Sequence, residues 1–296
     1  MAYRNLTGTS KDKLKQLFRD EDGGIQVKDR YYTSFNYGCL EEDEFPRKNP
    51  ADHFVNIPRD TQEISGPSCP LVGSCITEGI ERDLDLLADN TETDENRVAA
   101  LMGLGHWVGD IHQPLHVSFE DDRGGNSIKI SVEDRTCGSK KFYKDNLHAV
   151  WDNCLLEAGL YERVRQSPEY SEDWTRFSIT YAATAFLLDD TSVEFEREIV
   201  DGEPWEWAQE SLEITLNPKT GYCFKDGNIC KYDEDREKYQ KGEKKRYFFV
   251  TQKYINDHKE IAEMRVQKAG FRLAHLINGA LDNDYTSPIK NSTQVD

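Results

Sequence analysis

No run in this sequence is long and apolar enough to cross a bilayer. The best, Ala185–Leu188 and Tyr247–Val250, fall far short of the roughly 20 residues a membrane helix needs. The opening MAYRNLTGTSKDKLKQLF has no apolar core of the kind that drives export. Positive charge is also short: 37 Lys and Arg face 55 Asp and Glu, a net charge of −18. That excludes a protein gripping nucleic acid through a broad basic surface. It does not exclude a polyanionic substrate, because bound divalent cations reverse the sign of a local site. CxxC pairs are absent, which removes the usual structural zinc set, and HExxH is absent, which removes the commonest zinc-protease pattern. With no Pro/Ser-rich linker and no internal repeat, residues 1–296 are expected to form one domain. The 37% hydrophobic and 31% charged shares describe a globular chain rather than a disordered one.

Cysteine is plentiful, with seven residues. Cys69 and Cys75 flank a short Pro/Gly loop, Cys137 and Cys154 bracket a later segment, and Cys223 and Cys230 bound another loop. Three local disulfides would leave Cys39 unpaired and point to an oxidising compartment, although spacing alone does not fix connectivity and buried free thiols are the alternative.

Helical periodicity dominates. Residues 10–20 predict a short helix capped by Ser10, with Leu14, Leu17 and Phe18 inward, and 21–52 read as irregular. Ile76, Ile80, Leu84 and Leu87 mark a second helix. Thr93 caps a third, with Asp94 and Glu95 in its first turn, running to Asp110. Residues 127–133 alternate as one strand of a small β-hairpin, turned at the preceding Gly pair. Helices follow over 145–158, along Trp174, Phe177, Tyr181, Ala185 and Leu188, around Trp205–Ile214, and over Tyr247–Leu281. Residues 217–246 are a charged insertion, expected as a solvated surface excursion.

The chemistry concentrates in HWVGDIHQPLH at 106–116, DRGGN at 122–126 and NLHAVWD at 146–152. Four of the seven histidines lie there. His106 and Asp110 are four apart, as are His148 and Asp152, so each pair projects from one helix face. His116 follows Pro114, where a helix ends. Imidazole with carboxylate and little thiolate suits zinc or a similar divalent ion.

These three motifs, in this order, closely resemble the S1/P1 nucleases, zinc-dependent helical enzymes that cleave single-stranded DNA and RNA and remove 3′-phosphates from nucleotides. HFVNIPR at 53–59, CP…CI at 69–76, WAQES at 207–211 and GFRLAHLIN at 270–278 extend the likeness over nearly the whole chain. The resemblance implies a mainly α, helical-bundle domain of the phospholipase C/P1 nuclease type. One zinc would take His53, His106, Asp110 and the upstream Asp43, with Glu42 as the alternative because Glu41 and Glu42 replace the residues usual before that aspartate. A second zinc would take His116, His148 and Asp152. A third site in the family uses an amino-terminal tryptophan and a nearby histidine with the equivalent of Asp110. Neither residue is in this chain, so that site is incomplete here. The expectation is that the tryptophan, the histidine and a signal peptide precede an internal Met1; the alternative is a protein without the third zinc.

The resemblance further implies Phe54 stacking a base, Asn56 bonding its edge, and Arg47 with Lys48 steadying phosphate. Asn126 would hold the loop or touch the phosphate. Asp43 would orient the attacking water or take its proton. His112, between the ligands, is expected to pack or to support them. Substrates would be single-stranded nucleic acid or 3′-nucleotides, the products 5′-phosphates, the protein secreted or periplasmic, monomeric and off the membrane. The alternatives are a zinc-dependent phospholipase C and a zinc-stabilised, non-catalytic binding protein.

Overall fold

The computed structural model describes residues 1–18, 25–27, 30–32, 38–44, 46–132, 146–189, 200–231 and 246–287. It is mainly α, as the periodicity predicts. Helix α1 (Gly8–Phe18) starts earlier than expected. Thr7 Oγ1, not Ser10, accepts the Ser10 amide at 3.1 Å, and Ser10 is buried inside the first turn. Within the supposedly irregular stretch, β1 (Ile25–Val27) and β2 (Arg30–Tyr32) pair as an antiparallel hairpin.

The site-bearing half is built on one small device. Strand β3 (Val55–Ile57) leads to α2 (Ile76–Ala88), whose Ile76, Ile80 and Leu87 are fully buried. Helix α3 (Asp94–Ile111) packs along α2, capped as expected by Thr93 Oγ1 accepting the Asn96 amide. The contact is close because a Cβ at Gly103 would stand 2.3 Å from the Asp83 carboxylate on α2. After α3, β4 (Val117–Phe119) pairs in parallel with β3, Val55 facing Val117 and Ile57 facing Phe119, all four buried.

Strand β5 (Ile128–Val132) forms where alternation predicts it, but among the described residues it is not part of a hairpin. It pairs in parallel with residues 246–250. The Gly124–Gly125 turn, both residues at positive φ, instead folds 119–128 into a compact loop. A helical run then passes through α4 (Leu147–Ala149), a π-helical turn at Val150–Cys154, and α5 (Leu155–Gln166). Helix α6 (Arg176–Asp189) begins beyond Trp174 because Thr175 caps it, accepting the Ser178 amide. Its buried residues are therefore Ala183 and Leu187, packed near Leu160 and Val164 of α5, while Tyr181 is exposed. The Phe177 side chain lies outside the described residues.

Helix α7 (Pro204–Leu216) carries a Glu203/Glu206 capping box and buries Trp207, Ala208 and Leu212. The expected insertion at 217–246 is not wholly a solvated excursion. Strands β6 (Phe224–Asp226) and β7 (Ile229–Lys231) form a hairpin closed by Cys223–Cys230, and Tyr222, Cys223 and Cys230 are buried. The Tyr222 hydroxyl donates to Asp122 at 2.6 Å, and these contacts give a polar-looking segment a reason to sit in the core. Residues 232–245 lie outside the described part. The last helix also starts later than its periodicity suggests: Tyr247–Val250 belongs to β8 (Arg246–Val250), and α8 (Gln252–Leu281) follows a Thr251 cap.

Cys69–Cys75 and Cys223–Cys230 are disulfides and Cys39 is a free thiol, as the spacing suggests. Cys154 is also disulfide-bonded, whereas its expected partner, Cys137, lies outside the described residues. Among the described residues, no helix is long and apolar enough to cross a membrane.

Candidate metal centre

The β3–β4 ladder brings the two halves of the site together. His53 lies two residues before β3 and His116 immediately before β4, so pairing those strands sets the histidines close together although 63 residues separate them. The His116 Nδ1–H donates to the His53 carbonyl at 2.5 Å. Helix α3 supplies His106 and Asp110, one turn apart. Helix α4 supplies His148, and the π-helical turn that follows it supplies Asp152.

Two groups of ligand atoms result among the described residues: Asp43, His53 and His106, and His116, His148 and Asp152. In the first, His53 Nδ1 and His106 Nε2 are 3.1 Å apart, and Asp110 Oδ2 lies 3.1 Å and 3.2 Å from them. Asp43 stands further out, 3.9 Å from each histidine and half exposed. In the second, His116 Nε2 and His148 Nε2 are 3.1 Å apart, with Asp152 Oδ1 at 3.4 Å and 3.6 Å. Ligands on a tetrahedral ion with bonds of about 2.05 Å are separated by about 3.3 Å, so both groups have the spacing of a coordination shell.

The hydrogen bonds behind the rings fix which nitrogens face inward. His106 Nδ1–H donates to the Cys39 carbonyl at 2.7 Å, His148 Nδ1–H to Gly124 at 2.7 Å, and His116 Nδ1–H to His53. In its neutral form, each ring therefore presents an Nε2 lone pair to the centre, the arrangement of metal-bound histidines. Two such nitrogens 3.1 Å apart repel unless a metal ion or a shared proton lies between them. His53 Nε2, on the far side of the ring from the inward Nδ1, is buried with no hydrogen-bond partner among the described residues, in a ring set T-shaped against Trp107.

Electrostatics agree. Burial opposes charge on His116, yet Asp110 and Asp152 outweigh it and raise its pKa to about 9. Burial also opposes the charge of Asp110, but the surrounding histidines hold its carboxyl far below the usual range. Asp152 is lowered against burial by His148 and His116, and His148 is lowered chiefly by its own burial. Such a centre gathers positive charge, and its donors fit small divalent ions.

Other expected site residues fall nearby. Phe54 and Asn56 alternate with the buried Val55 and Ile57, so both lie on the opposite, half-exposed face of the chain. Arg47 donates to Asp43 Oδ1 at 2.5 Å, which sets its guanidinium at the outer rim, whereas Lys48 turns to Glu41. Asn126 braces the loop: its Nδ2 donates to the Arg123 carbonyl, and its Oδ1 accepts from Asn146. His112 supports rather than ligates. Its Nδ1–H donates to Val108, and its Nε2 accepts from Arg272 at 2.8 Å.

A family model described as S1/P1 nuclease matches residues 1–282. This chain belongs to the S1/P1 nuclease family. Endonuclease 1 of Arabidopsis thaliana is 28% identical over 193 residues, 64% of this chain and 52% of that protein. Endonuclease 4 of the same plant is 41% identical over 91 residues, 29% and 28% of the two chains. Nuclease PA3 of a Penicillium species is 33% identical over 216 residues, 69% of this chain and 66% of the relative. The chain thus spans about half the length, or less, of these Arabidopsis relatives.

Within this S1/P1 family member, sequence reasoning missed three supports. Gln113 donates to Asp152 at 2.6 Å while capping the turn that carries His116. Its place between two candidate ligand motifs was the available signal. Asp52 and Trp107, each adjacent in sequence to a candidate ligand histidine, gave no signal, because their charged partners Arg82 and Asp83 lie on α2.

Proposed function

We propose that the chain is a zinc-dependent phosphodiesterase that cleaves single-stranded DNA and RNA to 5′-phosphate products and acts at the same site as a 3′-nucleotidase. The observation that carries this is the convergence of inward imidazole lone pairs with carboxylates in two adjacent groups, at tetrahedral spacing and joined through Asp110. Nitrogen and oxygen donors in four-coordinate geometry favour zinc among common divalent ions. His53, His106, Asp110 and Asp43 would hold one ion, and His116, His148 and Asp152 the other. Bound there, zinc supplies a hydrolytic nucleophile from water at neutral pH and offsets charge on the phosphate.

The chain's own residues do the rest. Asp43, half exposed at the mouth, is placed to orient the attacking water or take its proton. Arg47, already beside Asp43, adds positive charge where the phosphate would lie. Phe54 offers a ring for a base and Asn56 hydrogen-bond capacity for its edge, which favours unstacked substrate. The brace role of Asn126 is the one its contacts support. The disulfides fit an oxidising compartment, as a secreted or periplasmic protein requires.

A phospholipase C is the rival built on similar metal chemistry. Assays on a single-stranded oligonucleotide, on 3′-AMP and on a phosphocholine ester, each with and without a chelator, decide between them. Chelator-sensitive cleavage of the first two supports the proposal. Hydrolysis of the phosphocholine ester alone, or no hydrolysis by the zinc-loaded protein, overturns it.

A further inference from the structure

Two buried carboxylates flank the Asp43–His53–His106 group without belonging to it. Asp52, next to His53, is 2% exposed, and Asp83 on α2 is 6% exposed. One guanidinium spans both: Arg82 NH1 meets Asp52 Oδ2 at 2.5 Å, and Arg82 Nε meets Asp83 Oδ1 at 2.9 Å. The other oxygens are also used. Asp83 Oδ2 accepts from Trp107 Nε1 at 2.7 Å, and Asp52 Oδ1 from Ser74 at 2.7 Å. Trp107 follows His106 in α3, and its ring stands T-shaped against both His53 and His106, with centroids 4.9 Å and 5.2 Å away. The neighbourhood has no slack. A Cβ at Gly79 would come within 2.9 Å of Asp52, and one at Gly103 within 2.3 Å of Asp83.

We infer that Arg82 is a positioning residue for the first metal group, fixing His53 through Asp52 and His106 through Asp83 and Trp107. The inference rests on the metal reading given above. A guanidinium suits the task because its planar fork engages two carboxylates at once, whereas an ammonium is a point charge. His53 makes the task necessary. Its buried Nε2 has no hydrogen-bond partner among the described residues, so the ring lacks the backbone anchor that His106, His116 and His148 each possess there. Its orientation falls to Trp107 and to the backbone next to Asp52. Arg82 is 41% exposed and borders a cavity of about 320 Å³ lined also by Glu42 and Lys48, so a small solute can reach its place.

The test uses the full chain, stripped of metal and titrated with Co²⁺, whose visible absorption reports coordination. A His148→Ala background leaves only the first group, and a His53→Ala background only the second. In the first background, Arg82→Ala is expected to weaken Co²⁺ binding by ~10–100-fold, the usual effect of removing an outer-shell partner. In the second, it is expected to leave affinity unchanged. Millimolar guanidinium should restore the first-group spectrum, equal sodium chloride should not, and Arg82→Lys should stay defective. Trp107→Phe keeps a ring but removes the Nε1–H, and carries the same prediction at smaller size should Arg82→Ala fail to fold. Unchanged Co²⁺ affinity in Arg82→Ala, or in Trp107→Phe where Arg82→Ala does not fold, overturns the inference. So does full rescue by lysine or by salt, or equal losses in both backgrounds. If the parent chain binds no Co²⁺ at either group, the metal reading itself fails, a result distinct from a parent that binds normally and variants that match it.

Discussion

Glu210→Gln should destabilise the protein by an amount that depends on pH in a defined direction. Glu210 accepts two bonds from Arg272, at 2.6 Å and 2.8 Å, another from Arg265 at 2.5 Å, and lies 3.1 Å from Lys268. Both arginine side chains are nearly sealed from water, at 2% and 3% exposure. Glutamine removes the charge and turns an NH₂ toward guanidiniums that have only donors to offer. Breaking a buried pair costs ~3–5 kcal/mol, and the partial exposure of Glu210 places it at the low end, about 3 kcal/mol. At about 2 °C per kcal/mol for a chain of this size, the melting point should fall by about 6 °C. Burial works against the Glu210 charge, but Arg272, Arg265 and Lys268 prevail and hold its pKa below the ordinary value of 4.5. A depressed folded-state pKa contributes stability that is complete above the unfolded-state value and is lost as pH falls toward the folded one. The gap between parent and variant should therefore be full at neutral pH and narrow steadily below about pH 4.5. Thermal unfolding followed by circular dichroism, with disulfides intact, measures it. Equal melting points at neutral pH, or a gap that stays constant or widens toward about pH 3, would refute the reasoning.

Stripping metal with a chelator should lower the melting point, and adding zinc back should restore it, because ions that bind only the folded state stabilise by mass action. An unchanged melting curve counts against the metal centre. Phe54→Ala should lower kcat/KM on single-stranded DNA by the ~1–3 kcal/mol of one lost base stack, roughly 5–150-fold, read mainly in KM. Unaltered kinetics remove the base-platform role. Burial pushes the Cys39 thiol up to about 12, so iodoacetamide at neutral pH should modify it only after unfolding, as intact mass would show. Rapid labelling of the native protein would contradict its placement.

The proposed ligand residues were the legible part of the site, because His106–Asp110 and His148–Asp152 repeat at helical spacing and His116 stands at a proline break. Their supports were not. Asp52, Arg82, Asp83 and Trp107 read as ordinary residues, and only the packing of α3 and of the Pro50–His53 turn on α2 joins them. In the fold, the interiors of helices were readable and their ends less so. Thr7, Thr175 and Thr251 do the capping, and tertiary pairing turned YFFV, apolar enough for a helix, into β8. The partner of β5 lies more than a hundred residues away, beyond the reach of alternation. Buried Tyr222 was hidden in a charged stretch because its value lies in one hydroxyl aimed at Asp122.

The π-helical turn at Val150–Cys154 holds one residue more than an α-helix would, with the Leu155 amide bonding to the Val150 carbonyl. Leu147 is in the core before it, and Leu155 and Leu160 are in the core after it. The surplus residue uncouples the register of the face that packs from that of the face that carries Asp152. Changes in this segment can therefore retune the centre while the interior stays as it is. Deleting one residue there would force a choice between them: either Leu155 and Leu160 leave the core, or Asp152 leaves His148.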